Sequence, residues 1–224
     1  NRIVVSTNSS IDASGVSRRE SSGNSNSGGS YGGRGGYYST WGFSGPTYGS
    51  LTEPVDMGTR SMNTADVGLG GGVIYVKANE LVLDGAIRSS GSNAPSYTGS
   101  GGSVWLDVGT LRGAGSVAAN GGNGHASYTQ AGSGGGRVAI YYADASGFDL
   151  NRVYAYGGVQ GYSGYDAGGA GTIYLKNKNE ALGRVIVNNS PRGTNTAPTL
   201  ASAALPSIVA AISAPDVICP AATM

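Results

Sequence analysis

GGVIYVKA at 71–78, GGSVWLDV at 101–108, GGRVAIYY at 135–142 and AGTIYLKN at 170–177 align without a gap. Ile74, Val104, Val138 and Ile173 fall in one column, separated by 30, 34 and 35 residues. A self-similar period of this length marks a repeat architecture, in which each unit is too small to bury its own apolar face and must stack on the next. Inside every copy the aliphatic residues alternate. Ile74/Val104/Val138/Ile173 and Val76/Leu106/Ile140/Leu175 point one way, while Tyr75/Trp105/Ala139/Tyr174 and Lys77/Asp107/Tyr141/Lys176 point the other. Period two in β-branched residues means strand. Glycine cuts each run before it reaches helical length.

A second apolar stretch follows each copy: LVLDGAIRSSG from Leu81, TLRGAGSVAANG from Thr110, FDLNRVYAYGG from Phe148 and ALGRVIVNN from Ala181. Here Ile87, Val117, Val153 and Val185 make a third inward column. RIVVSTNSSIDASG, from Arg2, matches only this second half and places Ile11 in the same column. Aliphatic columns that meet their equivalents one coil away predict a parallel β-helix, or solenoid, of class all-β with long glycine-rich loops. A β-sandwich of ordinary hairpins is the alternative. The expected domain runs over 1–190 with an insertion at 24–68. Residues 191–224 hold five of the eight prolines and read as a Pro/Ala-rich linker, cap or strand-exchange tail.

Glycine-rich connections join the units: GSNAPSYTGSGG at 91–102, GGNGHASYTQAGSGGG at 121–136 and GGVQGYSGYDAGGAG at 157–171. Each carries a tyrosine (Tyr97, Tyr128, Tyr165) shortly before the next strand, and Tyr31 in GGSYGGRGG takes the same place. These loops are expected either to turn in solvent or to pack as extended segments with the tyrosines as anchors. Glycine permits the close backbone approach that the second arrangement needs.

Glycine supplies 41 of 224 residues, and charged residues only 12%. A net charge of +1 with no basic patch excludes nucleic acid as a partner. No apolar run is long enough to span a bilayer as a helix. Cys219 is the only cysteine, so no disulfide forms within the chain. The chain starts at Asn1 without a Met and reads as a processed product or a piece of something longer.

The search for chemistry finds little. His125 is the only histidine and lies in a loop, and Cys219 has no histidine near it in sequence, so neither nucleophilic triads nor a zinc site can be assembled. GGNGHASY stops one step short of a calcium nonapeptide, because His125 stands where an aspartate is needed. Asp144 and Asp149 read as turn formers rather than calcium ligands. The thirteen acids are scattered, against the clustered carboxylates a glycan-cleaving enzyme needs. No catalytic residue, metal site or cofactor is expected; structural calcium is the one cofactor considered, and no residue pattern supports it. The binding or interface candidates are the outward aromatics Tyr75, Trp105, Tyr141 and Tyr174, which either stack sugar rings or lie under a loop or a neighbouring subunit.

GGVIYVKANELVLDGAIRSSG, GGSVWLDVGTLRGAGSVAANGG and GSGGGRVAIYYADASG resemble the glycine-rich β-helical repeats of large bacterial and archaeal surface proteins. They are also similar to the coils of filamentous-haemagglutinin-type adhesins. YGGRGG at 31–36, followed by YGSLTEPVDMG at 48–58, resembles a glycine-rich insertion of the same proteins. The resemblance implies an exported, extracellular or cell-surface role and supplies no catalytic residues. The expected function is therefore a non-enzymatic structural or adhesive protein that self-assembles into a filament, sheath or stalk. Its partners would be further copies of itself or neighbouring domains of a longer chain. A polysaccharide-binding module, with a glycan as partner, is the alternative, and a β-helix carbohydrate-active enzyme is a third reading that no residue cluster supports.

Overall fold

The computed structural model describes residues 1–20, 23–24, 27–38, 42–61, 68–93, 98–125, 131–162 and 164–189, and the backbone of a strand at 208–212. The first half of the chain contributes β1 (Arg2–Val5) and β2 (Ser10–Asp12), then β3 (Val73–Leu83) and β4 (Ala86–Arg88). Next come β5 (Ser103–Gly113), β6 (Ser116–Ala118), β7 (Arg137–Tyr142), β8 (Asp144–Phe148) and, after a single 3₁₀ turn at Leu150–Arg152, β9 (Val153–Tyr154). The chain closes with β10 (Thr172–Asn177), β11 (Gly183–Val187) and β12 (Ile208–Ile212).

Two sheets result. The larger runs β1-β3-β5-β7-β10-β11-β12, with β8 also paired to β5; the smaller runs β2-β4-β6-β9. Repeat alignment and register agree residue for residue: Ile74 pairs with Val104, Val104 with Val138, and Val138 with Ile173, all in parallel. Ile11, Ile87, Val117 and Val153 pair likewise across the smaller sheet. Their side chains merge into one core, in which Leu81, Leu83, Ile87, Val104, Leu106, Val108, Leu111, Val117, Val138 and Ile140 are wholly buried. Each unit thus stabilises the next by removing apolar surface from water, at about 25 cal/mol per Å².

The closed solenoid expected from the repeats is not what forms. The sheets are open and mostly parallel, and they are not strung into a β-helix. The strands fall into two separate open sheets, and neither closes on the other by strand pairing. The last unit also breaks the pattern. β10 ends at Asn177 and the chain reverses, so that β11 and then β12 add antiparallel. Val185 consequently pairs with Tyr174 in the larger sheet instead of extending the column of Ile87, Val117 and Val153. Nor are β1 to β10 the hairpins of a sandwich, since their pairings are parallel.

The return from the smaller sheet to the larger one runs through glycine. Ser133 and Gly136 donate their N–H groups to the carbonyls of Gly122 and Ala119, while Gly134 donates to Gly29 and Gly135 to Gly169. Gly99 and Gly102 donate to Ser92 and Ser89, with Ser100 and Gly101 turned to Thr59 and Gly134. Gly168 and Gly171 donate to Gly158 and Ala155, and Gly169 between them donates to Arg34. Residues three apart address the same neighbour and intervening residues address others, which is the three-residue turn of a polyproline II-type path. The segments touch backbone to backbone. A Cβ on Gly134 would stand 1.9 Å from the carbonyl oxygen of Gly33, and one on Gly168 1.9 Å from that of Ser133. The glycine content is thereby explained as packing: the second arrangement of the loops, extended segments lying on one another, is the one adopted at these positions.

Candidate functional site

The outward face of the larger sheet carries the aromatic candidates. Tyr75 and Trp105 are register partners on β3 and β5, with ring centroids 4.6 Å apart. The next position is Ala139, and the space it leaves is bordered by Tyr141 from two residues further along β7, 6.4 Å from Trp105 and 5.6 Å from Tyr174. Tyr75, Trp105, Tyr141 and Tyr174 therefore form one continuous rib. Tyr142, adjacent in sequence, packs against the opposite, aliphatic core.

Only one end of this rib is open. Tyr75 is 50% exposed, Trp105 and Tyr141 are half-buried, and Tyr174 is 3% exposed. Leu51, Val185 and Val187 cover the closed part. Leu51 belongs to a strap, residues 48–57, which crosses the face and is fastened at several points. The Tyr141 hydroxyl donates to the Thr52 carbonyl at 3.1 Å, Arg137 Nε donates to the Tyr48 carbonyl at 2.9 Å, and Ser103 Oγ donates to the Asp56 carbonyl at 2.6 Å. With the Ser103 proton committed to Asp56, the Tyr31 hydroxyl, 2.7 Å from Ser103 Oγ, is the donor in that contact. Tyr31 is wholly buried and packs its ring 4.8 Å from that of Tyr48, while the Arg19 guanidinium lies 4.2 Å above the Tyr48 ring and ion-pairs with Asp56.

Burial governs the electrostatics. It pushes the Tyr141 hydroxyl up to about 12, with the neighbouring Tyr174 adding to the shift, and it raises Tyr31, Tyr48 and Tyr174 above the usual phenol value. Arg137 is also buried, which lowers its pKa, and it is held by donation to Tyr48 and to Thr172 Oγ1 at 3.0 Å. Beside the rib, Asp107 sits between Lys178 at 2.6 Å and Lys77 at 3.6 Å, and the hydrogen bond from Lys178 is the main cause of its lowered pKa.

The loop tyrosines do not share one role. Tyr31 is an interior anchor. Tyr165 is half-buried and stacks on Tyr38 at 4.8 Å. Tyr97 and Tyr128 lie outside the described residues. Asp144 and Asp149 accept from the N–H groups of Ser146 and Asn151, so both carboxylates cap turns. His125 is exposed in its loop. Among the described residues there is no group of three or more His, Cys, Asp or Glu placed to hold a metal ion. Among the same residues no helix is long and apolar enough to cross a membrane.

The residue that sequence reasoning missed is Arg137. Its column reads Val73, Ser103, Arg137, Thr172, and a lone large cation among small side chains was the available signal. In comparisons with protein-family models, curated proteins and solved structures, nothing matches this chain. The resemblance to haemagglutinin-type repeats gains no support from them, nor do the secreted and adhesin descriptions it implied, and the β-helix description is overturned by the open sheets.

Proposed function

We propose that this domain is a rigid, non-catalytic structural module. The observation that carries the reading is the glycine bundle, in which consecutive amides of 133–136 are bonded to three separate stretches of chain. Bending such a segment breaks hydrogen bonds in several directions at once, and the missing Cβ atoms leave no slack between backbones. The strap over the aromatic rib favours the same reading, because most of that face is committed to intramolecular packing.

Amide hydrogen exchange tests it. The N–H groups of Gly101, Gly134, Gly135 and Gly168 are expected to be protected to within about tenfold of those in β5, although they lie outside any strand. Exchange of these amides at the rate of an open loop would defeat the proposal.

The exposed end of the rib favours a second reading, glycan binding. Tyr75 offers half its surface beside Trp105, and an aromatic face of this kind stacks on the apolar face of a sugar ring. Titration with neutral polysaccharides, monitored by tryptophan fluorescence, tests it; an unchanged spectrum in both the native chain and Tyr75→Ala removes it.

A further inference from the structure

The insertion at 24–68 meets the glycine-rich connection 157–171 at a pair of tyrosines. Tyr38 and Tyr165 form an isolated antiparallel bridge, and the Asp166 N–H donates to the Tyr37 carbonyl at 3.0 Å. Gly36 and Asp166 touch backbone to backbone, since a Cβ on Gly36 would stand 2.0 Å from the Asp166 carbonyl oxygen. Gly164 takes a left-handed φ of 93°, and a Cβ there would lie 3.2 Å from Cε2 of Tyr38, a ring carbon next to the one that bears the hydroxyl. The Tyr38 and Tyr165 ring centroids are 4.8 Å apart with the planes tilted by 41°, and both residues are part-exposed.

We propose that Tyr38 and Tyr165 are a modification site, at which one-electron oxidation joins the two rings into a dityrosine staple within the chain. A haem peroxidase driven by hydrogen peroxide is the class of oxidant that carries this out. Each phenol gives up one electron and its hydroxyl proton. The two tyrosyl radicals then form one C–C bond between ring carbons ortho to their hydroxyls, and the hydrogen on each joined carbon moves, as a proton, to the phenol oxygen. Two hydrogen atoms leave in all, and one peroxide becomes two waters. The centroid separation is near that of two phenols joined through these carbons, so coupling asks for ring rotation rather than movement of the chain. Composition points the same way: 14 tyrosines stand beside a single cysteine, so a covalent tie between distant segments of this sequence falls to tyrosine. Tyr31 and Tyr48 are equally close, but Tyr31 is wholly buried, beyond the reach of a macromolecular oxidant. Tyr154 and Tyr156 lie 5.4 Å apart but are near neighbours in sequence, where a link constrains almost nothing. Tyr38 and Tyr165 are 127 residues apart, and closing so long a loop removes far more entropy from the unfolded chain.

The staple goes beyond the structural reading above, and protection of the glycine amides does not depend on it, so each can fail alone. The native chain, dilute enough to suppress links between copies, is treated with a haem peroxidase and hydrogen peroxide, with tyramine coupled in a parallel tube to prove the oxidant. The monomer fraction is expected to gain dityrosine fluorescence and to lose the mass of two hydrogen atoms. Proteolysis is expected to yield a joined pair of peptides that contain Tyr38 and Tyr165. Tyr38→Phe and Tyr165→Phe keep the ring contact and are expected to lose that pair, whereas Tyr75→Phe, at the 50% exposed end of the rib, is expected to keep it. Oxidation in urea is expected to scatter the links over other tyrosines, and the linked chain is expected to unfold at higher urea than the unlinked one. Absence of the joined pair from the native monomer overturns the proposal, as does an equal yield of it from the urea-unfolded chain. An unshifted urea midpoint overturns the staple's role as a brace.

Discussion

Arg137 Nε donates to the carbonyl of Tyr48, 89 residues earlier in the chain, at 2.9 Å. The bond ties the strap to the start of β7, and the same guanidinium reaches Thr172 on β10 and lies 5.5 Å from the centre of the Tyr31 ring. Arg137→Ala leaves a part-buried carbonyl and hydroxyl without their donor and opens a cavity beside Tyr31. The expected loss is about 2–4 kcal/mol in urea unfolding. Arg137→Lys keeps the charge but lacks the planar fork that serves two directions, so it is expected to recover less than half of that loss. Full recovery by lysine would show that charge alone fixes the strap.

Gly168 and Gly169 are neighbours with opposite tolerance. A Cβ on Gly168 meets the Ser133 carbonyl oxygen at 1.9 Å, whereas on Gly169 the nearest heavy atoms are Arg34 backbone N and O, both at 3.4 Å. Neither glycine has a left-handed φ, so conformational strain does not enter. Gly168→Ala is expected to force two backbones apart and to cost about 1–3 kcal/mol or more. Gly169→Ala is expected to be neutral, or stabilising by up to about 1 kcal/mol through a stiffer unfolded chain. Thermal unfolding of the two variants decides the matter; equal destabilisation would mean that the glycine segments are not packed as described.

The aliphatic columns were legible in the sequence because side-chain alternation and repeat spacing both survive in one dimension. Ile74, Val104, Val138 and Ile173 could be paired before any coordinates. Strand direction was not legible at the end of the stack. Val185 has the spacing of its supposed equivalents, and only the corner distinguishes it. After the first and second aligned copies the chain turns into the smaller sheet at Gly85 and at Gly113–Gly115, where a Cβ would strike a carbonyl oxygen at 2.1 to 2.3 Å. The segment 178–182, Lys-Asn-Glu-Ala-Leu, has no glycine, and the chain reverses there instead. The aromatic candidates Tyr75, Trp105, Tyr141 and Tyr174 lie side by side on one face, but the strap that covers them comes from 48–57, a stretch with no repeat partner. The partners of its backbone carbonyls could not be read from periodicity.

Asp107 makes stability depend on acid. Lys178, then Lys77, hold its carboxyl below the ordinary value. A depressed folded pKa contributes stability that is complete above the unfolded value of about 4 and is lost as pH falls through the folded one. Asp107→Asn is therefore expected to be less stable than the native chain at pH 7 and indistinguishable from it at pH 2, by urea midpoints. Asp166 has the opposite sign. Burial raises its pKa, so Asp166→Asn is expected to gain stability at pH 7, the gain vanishing below about pH 4.

Alkaline titration reads the strap directly. Tyr141 ionises at about 12, and Tyr31, Tyr48 and Tyr174 are raised with it, because burial opposes the phenolate. A raised folded pKa gives stability that is present below the unfolded phenol value of about 10 and is lost as pH climbs through the folded values. Tyrosinate absorbance from these four is expected to appear late, above the usual phenol value of about 10 and coincident with unfolding. Tyr141→Phe removes one late chromophore and the bond to Thr52, at a cost of about 1 kcal/mol. In Arg137→Ala the released strap is expected to move Tyr48 and Tyr141 back towards the usual phenol value. Late titration of both in that variant would show that the strap stays seated without its arginine.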